Sequence, residues 1–302
     1  MVTAIINPKL WRPGLRGVFG LEFEQWTPEY KEIFKDAEST YRFEEYQEIA
    51  PLGLVPEQSA GANVQYDDFI GGSTNQVVNI AYGLGYIIQR ELIDDNQYEL
   101  AKKFPKALAG SVILTTETAG ANLLNNGFST SYLFGNGKPL FSTSHPTPGD
   151  GGTFQNTPTT QADLAEASLE QAFIDIGAYK DPRGNLIKVM PKKLVVHRND
   201  EYTATKLTGS AFVPESMNNA VNPVMYNNKL PDGYAVNHYL TDNNAWFVIT
   251  DQDGLIFQKR VWPAEFREDN DFESLNIKQA TYFRFRFWCY DPRAIYGCSG
   301  ST

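Results

Sequence analysis

The stretch "QYDDFIGGSTNQVVNIAYGLGYIIQRE", residues 65–91, decides how the chain folds. Val64 and Tyr66 alternate with polar residues on one side of Gly71-Gly72, and Val78, Ile80 and Tyr82 alternate on the other. A Gly-Gly pair between two alternating runs predicts a two-stranded hairpin that turns at Gly71 and Gly72. The ribbon has few large apolar residues near its tip, and an isolated two-stranded ribbon is marginal in water. It is therefore expected to rest on something else, a second subunit being the natural support.

Downstream the period changes. Leu100, Phe104, Leu108, Val112, Thr115, Ala119 and Leu123 mark one face of a helix. Asp94 or Asp95 is placed to cap its start and Asn125-Asn126-Gly127 to end it. About thirty residues at ~1.5 Å each make a rod of roughly 45 Å. Pro105 is expected to bend it or detach its first turns. Upstream, residues 21–57 hold ten acidic and three basic residues with scattered aromatics. They read as a solvated helix face, or as an arm laid across a neighbour's basic surface.

Beyond the rod, residues 162–176 carry helical spacing, "PKKLVVH" (191–197) reads as a buried strand, and "NDEYTATKLTG" (199–209) as a short helix. Residues 238–260 read as strands around turns at 242–244 and 253–254. In "YFRFRFW" Phe283, Phe285 and Phe287 fall on one face of a strand, and Arg284, Arg286 and Trp288 on the other. The favoured reading is an amphipathic strand with phenylalanines in the core; the alternative is an aromatic–basic surface for nucleic acid. The mixed element order predicts an α+β fold.

Composition narrows the function. The chain has 302 residues, 42% hydrophobic and 13% aromatic, with a formal charge of −10. That charge gives no overall attraction for nucleic acid or anionic membranes. No stretch reaches the ~18 apolar residues of a membrane span. Cys289 and Cys298 make neither a disulfide framework nor a zinc spacing. "KPLFSTSHPTPGDGG" (138–152) offers Ser142, Ser144 and His145, but no glycine flanks either serine as a nucleophile elbow requires. A Ser/His hydrolase built on Ser144 and His145 is thus disfavoured against a Gly/Pro loop that packs Leu140 and Phe141 inward. A phosphate loop ending at Gly137-Lys138 fails because Tyr132 stands where glycine is needed. The pairs Asp67-Asp68 and Asp94-Asp95 are the best cation candidates, and neither needs a metal to explain it. No catalytic, cofactor or metal site is expected.

Five motifs in order resemble the major capsid (head) proteins of tailed bacteriophages, closest to the Mu-type major head subunit group. They are "YGLGYIIQRELIDDN" (82–96), "LLNNGF" (123–128), "GNGKPLFSTSHP" (135–146), "PKKLVV" (191–196) and "YLTDNNAWFVI" (239–249). The resemblance implies the Hong Kong phage type of fold, with an N-terminal arm (1–50), an extended hairpin loop (51–90) and a peripheral domain (91–160) whose spine helix covers 94–126. An axial domain (161–265) and a return strand of the peripheral domain (266–302) would follow. It also implies a virion shell protein, assembled in the host cytoplasm as hexamers and pentamers around double-stranded DNA, with a portal as partner. A cellular nanocompartment shell of the same fold is the alternative. Some members cross-link through a lysine in the extended loop; this chain has no lysine between Lys35 and Lys102. It also lacks the long helical N-terminal extension of members with a fused scaffold. A separate scaffolding protein, or a prosegment outside this sequence, is therefore expected. Between subunits, Glu22, Glu24, Glu29 and Glu32 of the arm, or Asp67 and Asp68 beside Gly71-Gly72, are expected to meet basic residues such as Arg284 and Arg286.

Overall fold

The computed structural model describes residues 8–61, 63–95, 97–212, 221–271, 273 and 276–301. The first seven residues of the expected arm lie outside that range. Two four-stranded sheets divide the molecule. The first has the order β1 (Lys35–Glu38), β10 (Leu255–Asn270), β11 (Ile277–Cys289), β4 (Ile80–Ile88). The second has the order β12 (Ile295–Cys298), β9 (Trp246–Thr250), β7 (Pro191–His197), β8 (Tyr234–Asn237). Two small pairs complete the strands: β2 (Phe43–Ala50) with β3 (Ile70–Val78), and β5 (His145–Thr147) with β6 (Gly152–Phe154). The helices are α1 (Pro8–Gln25), α2 (Arg90–Asp94), α3 (Tyr98–Ala101), α4 (Lys103–Asn125), α5 (Glu166–Gly177), α6 (Glu201–Gly209) and α7 (Pro223–Tyr226).

Strand alternation partitions the core. On β11, Phe283, Phe285 and Phe287 are buried on the face that meets α4 and the arm, with Tyr30, Phe34, Val112 and Phe257. On β7 and β9 successive residues point to opposite sides. Val195 and Phe247 join that first core, while Leu194, Val196, Trp246 and Val248 join a second one under α5, α6 and α7. The two sheets therefore share a wall, and β9 belongs to both cores.

The rod is shorter than its spacing predicts. Pro105 lacks an N–H and its ring crowds the carbonyl four residues earlier. That residue is Ala101, where α3 ends, and the helix resumes at Lys103. Asp94 closes α2 and pairs with Arg90 at 2.9 Å, so neither Asp94 nor Asp95 caps α4. The 23 residues of α4 end at Asn125 with Asn126 as the cap, within the Asn125-Asn126-Gly127 stop read from the sequence. Leu108, Val112, Thr116, Gly120 and Leu124 form its buried ridge, and Leu100 stands outside it, half in solvent.

The hairpin needs a larger correction. Gly71 and Gly72 lie inside β3, and β3 does not pair with β4. Its partner is β2, in the register Phe43↔Val78 to Ala50↔Ile70, and β4 instead forms the edge of the first sheet beside β11. The ribbon is thus 43–78, closed by the connection 51–69, and begins inside the expected arm. The C-terminal segment also divides: β11 returns to the first sheet, but β12 pairs with β9 in the second.

Candidate subunit interface

The ribbon leaves the body at one residue. Asn79, between β3 and β4, is buried, and its side chain donates to Ser39 Oγ (3.0 Å) and Tyr41 O (3.1 Å). Its Oδ1 accepts from Gln258 Nε2 at 3.0 Å. These bonds fix where the chain passes from the ribbon into the sheet. Just above, Tyr46 packs on Trp288 (4.9 Å) and stacks on Tyr290 (5.4 Å), and Val77 meets Ile256. Trp288 points to the same side as Arg284 and Arg286 and is covered by this ribbon base. Gly72 serves close approach: a Cβ there would stand 3.0 Å from Pro148 Cγ and 3.1 Å from Glu48 Cβ.

Two arginines hold the ribbon from the side. Arg183 donates to Pro51 O (2.5 Å) and Asp68 O (2.5 Å) and pairs with Asp67 at 2.9 Å. Asp67 also accepts from the Gly53 N–H at 2.8 Å, and that bond, with Arg183, lowers its pKa. Arg293 is 4% exposed and lies over the Phe154 ring at 4.3 Å. It donates to Lys180 O (2.6 Å) and pairs with Asp291 (3.1 Å) and with Glu48 of β2 (3.3 Å). Burial raises the Glu48 pKa, and Arg293 opposes the shift.

Outside this base the ribbon is bare. Ile49, Leu52, Leu54, Val55, Val64, Tyr66 and Phe69 are all exposed, Val55 at 94% and Tyr66 at 97%. A cluster of large apolar side chains in solvent marks an interaction surface. The alternating apolar residues foreseen at 64 and 66 are part of it, although they lie in the connection and not in a strand.

The expected acidic interface residues are mostly engaged within the chain. Glu22 pairs with Lys106 (2.7 Å), Glu29 with His238 (2.8 Å) and Glu32 with Lys193 (2.5 Å). Glu24 and Asp68 are exposed and have no ion pair among the described residues. Arg286 is exposed and Arg284 half-buried; neither pairs with a carboxylate among the described residues. A residue the sequence reading missed ties the arm down. Glu117, 1% exposed on α4, accepts from Trp26 Nε1 (3.1 Å) and the N–H groups of Glu29 (2.9 Å) and Tyr30 (3.1 Å). Burial raises its pKa against those bonds. A carboxylate near the apolar face of a helix was the signal available.

The serine–histidine stretch is closed. His145 is fully buried, stacked on Phe154, with Nε2 facing Leu140 O and Asn156 Oδ1 and Nδ1 facing Asn136. Desolvation pushes its pKa down to about 4. The backbone N–H of Ser144 donates to Ser142 Oγ, a turn contact. Among the described residues no group of three or more His, Cys, Asp or Glu residues could hold a metal, and no helix is long and apolar enough to cross a membrane.

Comparison with known proteins adds the last findings. A family model described as phage capsid protein matches residues 76–297. No curated protein matches significantly. Among solved structures, the mature capsid of bacteriophage PhiM1 is 9% identical, covers 90% of this chain and 87% of its own, and superposes with a TM-score of 0.54. A virus-like particle from Pyrococcus furiosus is 9% identical over 94% and 97% of the two chains, with a TM-score of 0.53. The procapsid of bacteriophage JBD30 is 14% identical over 98% and 77%, with a TM-score of 0.51. At these identities the likeness shows the fold: an α+β chain of the Hong Kong phage type.

Proposed function

The chain belongs to the phage capsid protein family and is a shell protein, not an enzyme; from that premise we propose that its copies assemble as hexamers and pentamers into an icosahedral head around double-stranded DNA. The five sequence motifs favour the Mu-type major head subunit group within the family. A separate scaffolding protein, a portal and assembly in the host cytoplasm belong to the same reading.

One observation carries it: a ribbon anchored at Asn79, Arg183 and Arg293 presents its apolar side chains to solvent. Apolar surface gains about 25 cal/mol per Å² when it leaves water. The ribbon gains that burial on a second copy. Contacts between different patches of like subunits close into rings when the rotation between neighbours allows it. Many weak contacts per copy then add through effective concentration. The net charge of −10 suits a wall that must hold DNA loosely.

The likeness to the virus-like particle from Pyrococcus furiosus keeps a cellular nanocompartment shell as the second reading. Negative-stain images of the purified full chain test both. Closed shells or capsomer rings are expected, and uniform small monomers at assembly concentrations would refute the proposal. Nucleic acid inside shells isolated from infected cells favours the head; enclosed protein favours the nanocompartment.

A further inference from the structure

Most arginines of this chain have a defined place. Arg90, Arg183, Arg267 and Arg293 each pair with a carboxylate. Arg16, Arg42 and Arg198 extend into solvent. Arg260 and Arg284 do neither. Both are half-buried, and among the described residues neither lies within ion-pair distance of an Asp or Glu. Nη1 of Arg260 and Nε of Arg284 are shut off from solvent with no hydrogen-bond partner. Among the described residues the hydrogen bond this pair makes is a long one, from Arg284 Nη2 to Asn79 O at 3.5 Å.

The two sit together. Arg260 occupies an irregularity of β10 between Lys259 and Val261, and Val261 is the register partner of Arg284 on β11. Arg286 follows two residues on, opposite Gln258. A guanidinium stays charged at any physiological pH. Two of them one register position apart on neighbouring strands, half-buried and with no carboxylate at ion-pair distance among the described residues, leave positive charge without its anion.

We propose that Arg260 and Arg284 form a carboxylate-binding site for the ribbon of a second copy of this chain, a reading that rests on the shell assembly proposed above. The connection 51–69 carries Glu57, Asp67 and Asp68 and no basic residue. Asp67 is held by Arg183 within its own chain. Glu57 and Asp68 are exposed and have no ion pair among the described residues. The ribbon strands extend roughly 25–30 Å at ~3.3 Å per residue, enough to cross onto an adjoining protomer. Two guanidinium charges without a carboxylate among the described residues lie on the first sheet, and two carboxylates without a cation lie on the ribbon, so each neutralises the other between copies. Charge-assisted bonds of this kind fix direction and register. A nucleic-acid phosphate is the weaker occupant, because the chain as a whole repels it.

Charge exchange in the full-length protein tests the site, read as the protein concentration at half-assembly in about 0.15 M salt, the physiological range. Thermal unfolding of each protomer serves as the folding control. Wild type that never forms particles would refute the shell reading itself, and with it this site. Given assembling wild type, E57K/D68K alters only exposed side chains and should raise that concentration about tenfold, the equivalent of about 1.4 kcal/mol. Adding R260E/R284E to E57K/D68K should bring it back toward wild type. E57K/D68K protein that assembles at the wild-type concentration overturns the site. So does a folded quadruple variant no better than E57K/D68K. If the arginine replacements fail to fold, E57K/D68K alone decides. R260Q/R284Q particles that form normally but lose nucleic acid would assign the site to phosphate and overturn the proposal.

Discussion

His145 shows how far a residue's chemistry depends on its enclosure. In sequence it stands beside two serines; in the fold its ring is sealed among Leu140, Asn136, Asn156 and Phe154. Burial lowers its pKa from 6.5 to about 4, so the folded chain keeps it neutral where the unfolded chain protonates it. Between those values the unfolded state binds more protons, and stability falls as pH falls. Going from pH 7 to pH 5 the cost from this residue is about 2 kcal/mol. A His145→Gln variant should therefore lose about that much less over the same interval, measured by denaturant unfolding at each pH. An unchanged pH dependence would mean the ring is reached by water. The sequence held enough to reject catalysis here, because the spacing around Ser144 was wrong. It did not hold the burial, which comes from residues 154 and 156 folding back on the loop. Glu117 is a similar case: its position on α4 was visible, but the arm's N–H groups it receives lie some ninety residues earlier.

At the scale of elements, patterns that repeat within a strand were legible and pairings between distant strands were not. The alternation of Phe283, Phe285 and Phe287 with Arg284 and Arg286 needed only period two. Gly71-Gly72 was misread because a turn and a close backbone approach ask for the same residue. Pro148, the neighbour that requires Gly72, is 76 residues away. The true partner, "FEEYQEIA" (43–50), was hidden among charges that suggested a solvated face. Arg183 could not be foreseen, since its bonds to Pro51, Asp67 and Asp68 join segments over a hundred residues apart. Arg183→Ala should free the connection 51–69 without unfolding the body. No Lys or Arg lies between Arg42 and Arg90, so trypsin is blind to the ribbon. Glutamyl endopeptidase should cut at Glu57 on the order of tenfold faster in the variant, as expected for an opening eased by about 1.4 kcal/mol. Equal rates would show that Arg183 holds nothing.

For the molecule as a whole, two cores share β7 and β9 as a wall, a helical rod backs the first sheet, and the ribbon leaves that sheet at Asn79. A ribbon ahead of a helical rod was legible from the change of period, but the division between arm and ribbon was not, because β2 lies within the acidic segment. The division of the C-terminal segment between two sheets was not, because β11 and β12 differ only in which partners they find. The two main cores contain no residue of the ribbon 43–78, and the connection 51–69 has no core of its own. Its order should therefore come from a second copy. Hydrogen exchange of peptides covering residues 51–69 measures this directly, in dilute protomers and in sedimented particles. The account predicts rapid exchange in the protomer and strong protection in the particle. Equal protection in both states would contradict it.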